Sequence, residues 1–269
     1  MKKTILVLAL LALIAFPIFA KGQKITISGS TTVLPIAQAT AEIFMDKNPE
    51  INISVRGGGS SVGIAGIMAG TVDIGDASRH IQTKEIVAAR ENGINPYENV
   101  VANDGIAIVV HKNNPIKNLT IQQIKDIYTG KISNWKEVGG PAMPIVVISR
   151  DVSSGTFEVF NSLVLGGAQA IDGALMLASN NAVVSTIAST PGAIGYAGLG
   201  YITENVNIVK VNNVMPSKRT IQDKTYPVAR TLHMYTNGAP KGLVKEYIDF
   251  ILSDEGQAII EEQGFISVK

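Results

Sequence analysis

The sequence contains no cysteine among its 269 residues. This absence excludes a disulfide framework, a thiolate nucleophile and any metal site built on cysteine. It also excludes a lipid-modified cysteine that would anchor the mature N-terminus to a membrane. These kinds of site are therefore ruled out before any motif is considered.

Histidine is nearly as rare, with His80, His111 and His233 as its only occurrences. No two of them stand at the spacing of a metal-binding motif. We therefore expect each to be a surface or loop residue, and we predict no metal site and no cofactor.

Charge is sparse and balanced. Only 17% of the residues are charged, with 23 basic against 22 acidic side chains, while 46% are hydrophobic. This composition is typical of a globular protein rather than a disordered one. Because there is no net positive field to attract phosphate backbones, we expect no nucleic-acid partner.

A long hydrophobic run stands at the N-terminus. Lys2 and Lys3 precede the apolar stretch from Thr4 to Phe19, and Ala20 follows as a small residue. This pattern predicts a signal peptide over residues 1–20. An uncleaved membrane anchor is the alternative, although sixteen residues are short for a membrane span. Without this segment, 21 basic residues face 22 acidic ones.

The most informative stretch runs from Arg150 to Thr156, RDVSSGT, directly after the apolar run 145–148. The pattern predicts that a buried strand ends there and a helix begins. A helix start has free backbone N–H groups that donate hydrogen bonds to an anion, and an arginine adds a planar fork for two oxygens of that anion. The stretch therefore predicts a pocket for a small oxyanion, or else a capped helix beside a surface arginine.

The same arrangement recurs at two earlier corners. The alternating strand pattern 24–27 leads into SGSTT (28–32), and the pattern 51–55 leads into RGGGSS (56–61). A fourth segment, 70–79, ends in Ser78 and Arg79, which either reach the same ligand or form a turn with Arg79 paired to Asp76 or Asp73. In open α/β sheets such corners meet beyond the carboxyl ends of the strands.

Strands alternate with helical patterns along the chain. This order indicates an α/β fold with mainly parallel sheets. Periodicity alone leaves open whether the chain forms one doubly wound domain or two lobes.

Several stretches resemble the phosphate-binding proteins of bacterial high-affinity phosphate ABC transporters, a family of periplasmic solute-binding components. The stretches are SGSTTVLP (28–35), RGGGSS (56–61), VDIGDASR (72–79), DGIAIVV (104–110), IYTGKISNW (127–135), 150–156 and GAIGY (192–196). The resemblance implies a two-lobed periplasmic-binding-protein fold of the class II type with a two-strand hinge. Lobe I would comprise residues 21–105 plus 233–269, and lobe II residues 106–232. The hinge would lie near Gly105 and Leu232.

The resemblance also implies which residues bind the ligand. With the adjoining Ser30 and Arg79, which the corner pattern adds, the predicted phosphate-binding residues are Ser30, Thr31, Thr32, Ser60, Ser78, Arg79, Arg150, Ser154, Gly155 and Thr156. One departure from the family concerns Ser78, because well-known members carry an aspartate at that position. The means of distinguishing phosphate from sulfate is therefore left open.

The function implied is capture of inorganic phosphate between the lobes and its delivery to the subunits of an ABC permease. We expect a monomer without catalytic activity, free in the periplasm because there is no cysteine to lipidate. Sulfate or another tetrahedral oxyanion is the alternative ligand. A phosphatase-type enzyme and an extracellular adhesin or phosphate sensor are the alternatives from other classes.

Motifs for catalysis are incomplete. Gly58 and Gly63 have the spacing that opens a Walker A motif, but Ile64 and Ala65 stand where lysine and serine or threonine are needed. Ser154 is not surrounded by the G-x-S-x-G pattern of a nucleophile elbow. Both observations favour a binding protein over an enzyme.

Overall fold

The structure is a computed structural model that describes residues 23–269, so the predicted signal peptide lies outside the described residues. The strands are β1 (Gln23–Gly29), β2 (Ile51–Gly57), β3 (Ile74–Ala77), β4 (Pro96–His111), β5 (Asn118–Leu119), β6 (Val146–Arg150), β7 (Leu175–Leu177), β8 (Ala193–Gly198), β9 (Val206–Val211) and β10 (Ala229–Asn237). The α-helices are α1 (Leu34–Lys47), α2 (Ser60–Met68), α3 (Thr83–Glu91), α4 (Ile121–Tyr128), α5 (Gly155–Phe160), α6 (Asn180–Ser189), α7 (Lys218–Gln222), α8 (Gly242–Ile251) and α9 (Asp254–Glu262). No helix within 23–269 is long and apolar enough to span a bilayer.

The first lobe is built on a sheet of order β2-β1-β3-β10-β4. β1 pairs in parallel with β2 and β3, and β10 runs antiparallel between β3 and β4. Ile25 and Ile27 alternate onto the buried face of β1 and pack with Ile36 and Phe44 of α1 and Tyr247 of α8. The apolar residues at every second position of β1 thus pack against helices that cover this face of the sheet.

The second lobe contains β5 to β9 and the later part of β4. β6 pairs in parallel with β7 and β8, whereas β8 and β9 run antiparallel to β4. Its core includes Tyr128, Phe160 and Tyr196, and the rings of Phe160 and Tyr196 are stacked 3.9 Å apart. Parallel pairs therefore form the outer part of each lobe, and antiparallel pairs join the lobes.

Strand β4 is shared by the two lobes. Up to Gly105 it pairs with β10, and from Ile106 onward it pairs with β8 and β9. β10 begins at Ala229, directly opposite Gly105. The hydrogen-bonding partners of β4 thus change between two adjacent residues, at the same level as the start of β10.

The strand patterns 24–27 and 51–55 lie within β1 and β2, and the apolar run 145–148 lies in β6 apart from its first residue. The expectation for His233 was wrong, because this residue lies inside β10 and its side chain is completely buried. β10 lies between β3 and β4, and the His233 ring packs against the rings of His80 and Tyr235.

Candidate functional site

Arg150 ends β6 at the edge of the crevice between the lobes and is only 1% exposed. Its Nε donates to the carbonyl of Leu177 (3.0 Å) and its Nη2 to the carbonyl of Ala178 (2.9 Å). Its Nη1 is buried without a hydrogen-bond partner among the described residues. A buried guanidinium with a free donor is costly unless an anion completes its bonding.

The start of α5 lies directly beyond this arginine. The Ser154 hydroxyl accepts a hydrogen bond from the Phe157 amide (3.3 Å) and so caps the helix, as the sequence predicts. The next two residues, Gly155 and Thr156, open the helix, and their amides have no acceptor within it. The Thr156 hydroxyl lies 3.1 Å from the hydroxyl of Thr32 in the first lobe.

The corner after β1 faces this helix start. The buried Ser30 hydroxyl accepts hydrogen bonds from the amides of Thr32 (3.1 Å) and Val33 (3.4 Å), so it holds the turn that leads into α1. The Thr31 hydroxyl oxygen accepts from Arg150 Nη2 at 3.2 Å. Residues of β1 and β6 corners are thus in direct contact across the crevice.

Ser60 and Ser78 complete the polar wall of the first lobe. Ser60 is the first residue of α2. Its hydroxyl accepts a hydrogen bond from the Ser78 amide (2.9 Å) and lies 3.2 Å from the Ser78 hydroxyl. A Cβ added at Gly155 would lie 2.3 Å from the Ser60 Oγ and 2.8 Å from the Ser78 Oγ. Glycine at position 155 therefore allows the α5 backbone to approach both serines.

Arg230 belongs to the same cluster, and the sequence analysis missed it. From β10 its Nη1 donates to the Thr156 hydroxyl (3.0 Å) and its Nη2 to the Thr32 hydroxyl (3.2 Å). Its Nε and Nη2 also donate to Asp104 Oδ2, at 2.9 and 2.8 Å. The signal that could have found it is an arginine close to Leu232 in the predicted hinge, where the structure pairs it with Asp104, next to Gly105.

Asn180 was missed as well. As the first residue of α6, it donates from Nδ2 to the hydroxyls of Thr32 (2.9 Å) and Thr31 (3.3 Å). Its Oδ1 accepts from the Gly198 amide at 3.2 Å, which fixes the orientation of the amide group. The Ser179 cap before it marks a further strand-to-helix corner that could have been included in the prediction.

The cluster carries an excess of positive charge. Arg150 and Arg230 are buried together, and Asp104 is the carboxylate that is paired with Arg230. Burial lowers the pKa of Arg150 to about 10, so it stays protonated at neutral pH. Burial also raises the pKa of Asp104, which the adjacent Arg230 guanidinium opposes. Asp104 neutralises the charge of Arg230 but not that of Arg150, which favours binding of an anion.

Arg79 follows Ser78, and its guanidinium is engaged by acidic side chains and by the Ser61 hydroxyl. Its Nη1 and Nη2 each lie 2.8 Å from an oxygen of Glu85, and its Nε lies 2.7 Å from Glu158 Oε1. The alternative pairing of Arg79 with Asp76 or Asp73 is wrong, since its acidic partners are Glu85 and Glu158. Because carboxylates surround the guanidinium, we leave Arg79 out of the proposed anion contacts.

Asp76 is a buried acid in β3 that the sequence analysis could assign only as a pairing partner for Arg79. Its side chain is 1% exposed in total, and Oδ1 has no hydrogen-bond partner in the described part of the chain. Burial raises the pKa of this carboxyl well above its usual range. Its backbone carbonyl accepts from the Ser30 amide (2.8 Å), so it supports the corner after β1 through its main chain.

Comparison with known proteins agrees with this geometry. A model of the PBP superfamily domain matches residues 20–255. The phosphate-binding protein PstS of Bacillus subtilis (strain 168) is 36% identical over 256 residues, which cover 93% of this chain and 84% of that protein. PstS of Borreliella burgdorferi is 35% identical over 257 residues, 91% of this chain and 90% of the relative.

Solved structures give the same result. A crystal structure from Clostridium perfringens, described as a phosphate ABC transporter substrate-binding protein with bound phosphate, superposes with a TM-score of 0.85. It is 39% identical, and the match covers 92% of this chain and all of that chain. An ABC-type phosphate transport receptor from Vibrio cholerae gives a TM-score of 0.75 at 33% identity, over 90% and 99% of the two chains.

These similarities span nearly the whole described chain and confirm the predicted two-lobed periplasmic-binding-protein fold. They also confirm the resemblance that the corner motifs indicated. The chain belongs to the PBP superfamily and, within it, to the family of PstS phosphate-binding proteins.

Proposed function

We propose that this protein is an extracytoplasmic solute-binding protein that captures inorganic phosphate between its lobes and delivers it to an ABC permease. The observation that carries the proposal is the buried Nη1 of Arg150, a cationic donor that has no partner among residues 23–269 and lies beside hydroxyls from both lobes. The names of the PstS relatives and the phosphate in the Clostridium structure support the choice of ligand.

The proposed contacts combine one free charge with many neutral donors. Hydroxyls can donate or accept, whereas guanidinium and backbone N–H groups only donate. The residues proposed to surround the anion are Ser30, Thr31, Thr32, Ser60, Ser78, Arg150, Ser154, Gly155 and Thr156, with Arg230 and Asn180 added from the structure. Charge-assisted hydrogen bonds stabilise by about 1.5–3 kcal/mol each, so several of them offset the cost of burying a dianion.

The lobes proposed for this mechanism are residues 21–105 with 233–269, and residues 106–232, with the hinge near Gly105 and Leu232. The partner change of β4 after Gly105 supports a hinge at this level. Thr32 and Thr156 are in contact across the crevice, as are Thr31 and Arg150. Since neither lobe alone surrounds the anion, phosphate stabilises the closed form, and a permease can recognise that form.

Sulfate is the alternative ligand that the site leaves open. Protonated phosphate carries an O–H that needs an acceptor, and sulfate at neutral pH carries none. Ser78 offers a neutral hydroxyl, and Asp104 is engaged by Arg230 and by the Leu199 amide. We propose that serine and threonine oxygens accept the phosphate proton, so selectivity rests on neutral acceptors.

A phosphatase-type enzyme is the alternative from another class. Phosphoryl transfer needs a nucleophile beside a base, or a metal. Ser154 is engaged as a helix cap, and the carboxylate of Asp104 is paired with Arg230. We therefore propose binding without catalysis, and an assay with an aryl phosphate would reveal turnover if this is wrong.

We further propose that the protein acts as a monomer in the periplasm. Residues 1–20 would serve as the signal peptide for its export, and no cysteine is available for lipid attachment. Mass analysis of the secreted protein would show cleavage after Ala20 if this assignment is right.

Titration calorimetry with phosphate and sulfate tests the binding proposal. We expect phosphate to bind and Arg150→Ala to weaken binding by at least about 100-fold, because a charge-assisted contact from a buried guanidinium is lost. Arg219→Ala is the matched control, since this arginine is exposed in α7 and away from the crevice. If phosphate gives no heat and no thermal shift while sulfate does, the ligand assignment is wrong.

A further inference from the structure

Three side chains that commonly bind metals meet in the first lobe, outside the proposed anion site. Glu98 Oε1 lies 2.9 Å from His80 Nδ1 and 3.1 Å from His233 Nδ1. The two imidazole rings are 4.6 Å apart between centroids. The potential ligand atoms of all three residues lie within 4.8 Å of one another.

These short distances are not all explained by hydrogen bonds. His233 Nδ1 is buried and, within the described residues, has no hydrogen-bond partner, although Glu98 Oε1 is 3.1 Å away. The nitrogen is therefore close to the carboxylate oxygen without a hydrogen bond between them. His80 Nδ1 approaches the same oxygen from the solvent side.

The groups around the cluster hold it in the orientation of metal ligands. His233 Nε2 shares a hydrogen bond of 2.9 Å with the Thr231 hydroxyl, which leaves Nδ1 facing the cluster. Tyr235 donates from its hydroxyl to Glu98 and orients the carboxylate. Metal-binding imidazoles are typically fixed in this way by an outer partner on the second nitrogen.

The spacing also fits a particular kind of ion. Ligands at about 2.0–2.1 Å from a tetrahedral zinc ion are roughly 3.3 Å from one another. Two imidazole nitrogens with one carboxylate form a set that suits borderline ions, whereas magnesium and calcium prefer oxygen ligands. We propose that His80, Glu98 and His233 form a binding site for a first-row divalent transition-metal ion, with Zn²⁺ as the best fit.

The site would leave at least one coordination position open. His80 and His233 line a cavity of about 640 Å³ that also reaches Arg79, Arg230 and Glu158. The His80 side chain is 71% exposed, so the ion can enter from solvent. A bound ion would fasten the segment that follows Ser78 to β4 and β10.

This proposal does not depend on phosphate binding. Glu98 and His233 lie in β4 and β10 of the first lobe, and His80 lies in the loop after β3 of the same lobe, so opening of the crevice would leave the three together. A protein that binds zinc but not phosphate would contradict only the proposed function, and the reverse result would contradict only the metal site.

The test is calorimetric titration of the full, chelator-treated protein with ZnCl₂ in a phosphate-free buffer, together with the visible absorption of its Co²⁺ form. We expect one ion per chain and the absorption bands of a low-symmetry, four- or five-coordinate Co²⁺ ion. His80→Ala and Glu98→Gln should each weaken metal affinity by at least about tenfold. Neither change empties the buried core, because both side chains are partly exposed.

His111→Ala is the matched control, because His111 is the remaining histidine and lies at the far end of β4, where it accepts from the Asn113 amide. The metal affinity of the His111→Ala variant should equal that of the unmodified protein. Thr231→Val should reduce affinity by about 10–100-fold and shift the Co²⁺ bands if it positions His233. The proposal is overturned if zinc binds equally well to His80→Ala, or if His111→Ala removes the binding.

Discussion

Arg150 donates from Nη2 to the hydroxyl oxygen of Thr31, which stands 119 residues earlier in the chain, over 3.2 Å. The arginine ends β6 in the second lobe, and the threonine follows β1 in the first. The Nη1 of the same guanidinium is buried without a partner among the described residues. One side chain therefore joins the lobes and keeps a donor for an anion, so closure and anion binding are expected to be coupled.

Variants of the ion pair between Arg230 and Asp104 can separate the effect of Arg230 on folding stability from its effect on phosphate binding. Arg230→Gln leaves a buried carboxylate without its partner, and we expect a loss of about 3–5 kcal/mol in the free energy of unfolding. Adding Asp104→Asn should recover much of that stability, because the unpaired charge is removed. Urea unfolding measures both variants. Phosphate affinity should stay low in the double variant, since the donors to Thr32 and Thr156 are still missing; recovered affinity would show that Arg230 acts only structurally.

A substitution at Gly155 tests whether the two lobes must approach closely for phosphate to bind. Alanine there would place a Cβ 2.3 Å from the Ser60 Oγ, so we expect phosphate affinity to fall by at least about tenfold while folding is little affected. Gly173→Ala is the control, because a Cβ at that position meets no atom within 4 Å. Calorimetry and thermal unfolding on both variants give the comparison. Equal affinities would mean that the lobes do not close to this distance around the ligand.

Substitution of two serine or threonine helix caps can distinguish an effect on folding stability from an effect on phosphate binding. Thr120 caps α4 by accepting from the Gln123 amide (3.1 Å), and Ser154 caps α5 in the same manner. We expect Thr120→Ala and Ser154→Ala each to cost about 0.5–2 kcal/mol of stability. Only Ser154→Ala should also weaken phosphate binding in a titration. If both variants keep full affinity, Ser154 serves the helix alone.

The burial of Asp76 predicts that the free energy of unfolding depends on pH. Burial raises its folded pKa above the ordinary value of 3.8, so the folded state holds the proton more tightly than the unfolded chain. The free energy of unfolding should therefore fall as pH rises from the unfolded pKa through the folded pKa, by about 1.4 kcal/mol for each unit between them. Asp76→Asn removes this term, so its stability relative to the unmodified protein should increase with pH.

Denaturant unfolding at a series of pH values from acid to neutral measures this difference. The exposed Asp172→Asn serves as the control and should follow the unmodified protein throughout. A difference between Asp76→Asn and the unmodified protein that stays constant with pH would contradict the prediction.

Much of the fold follows from local patterns. Apolar alternation in 24–27 and the apolar period of the following helix predict β1 and α1, because each segment must bury one face. The corners after β1, β2 and β6 were also predicted, since glycines, hydroxyls and an arginine at a strand end form a local chemical pattern. Short elements such as β7 have too few residues to show a period.

The remaining parts of the site depend on contacts between distant segments. Arg230 and Asn180 look like ordinary polar residues in a strand and at a helix start, and only the crossing of β10 beside β4 and the packing of α6 bring them to Thr32. The contact of Arg79 with Glu158 was missed for the same reason, because Glu158 comes from the other lobe.

The amino-acid sequence by itself determined the α/β order of the elements, the donor-rich corners and the absence of cysteine chemistry, since these are properties of short segments or of composition. Tertiary structure alone decided that Arg230 faces Thr156, that Arg79 is held by acids and that His80 lies against His233. The physical reason is that side-chain partners are chosen by how strands pair and lobes pack, and sequence separation carries no record of that choice.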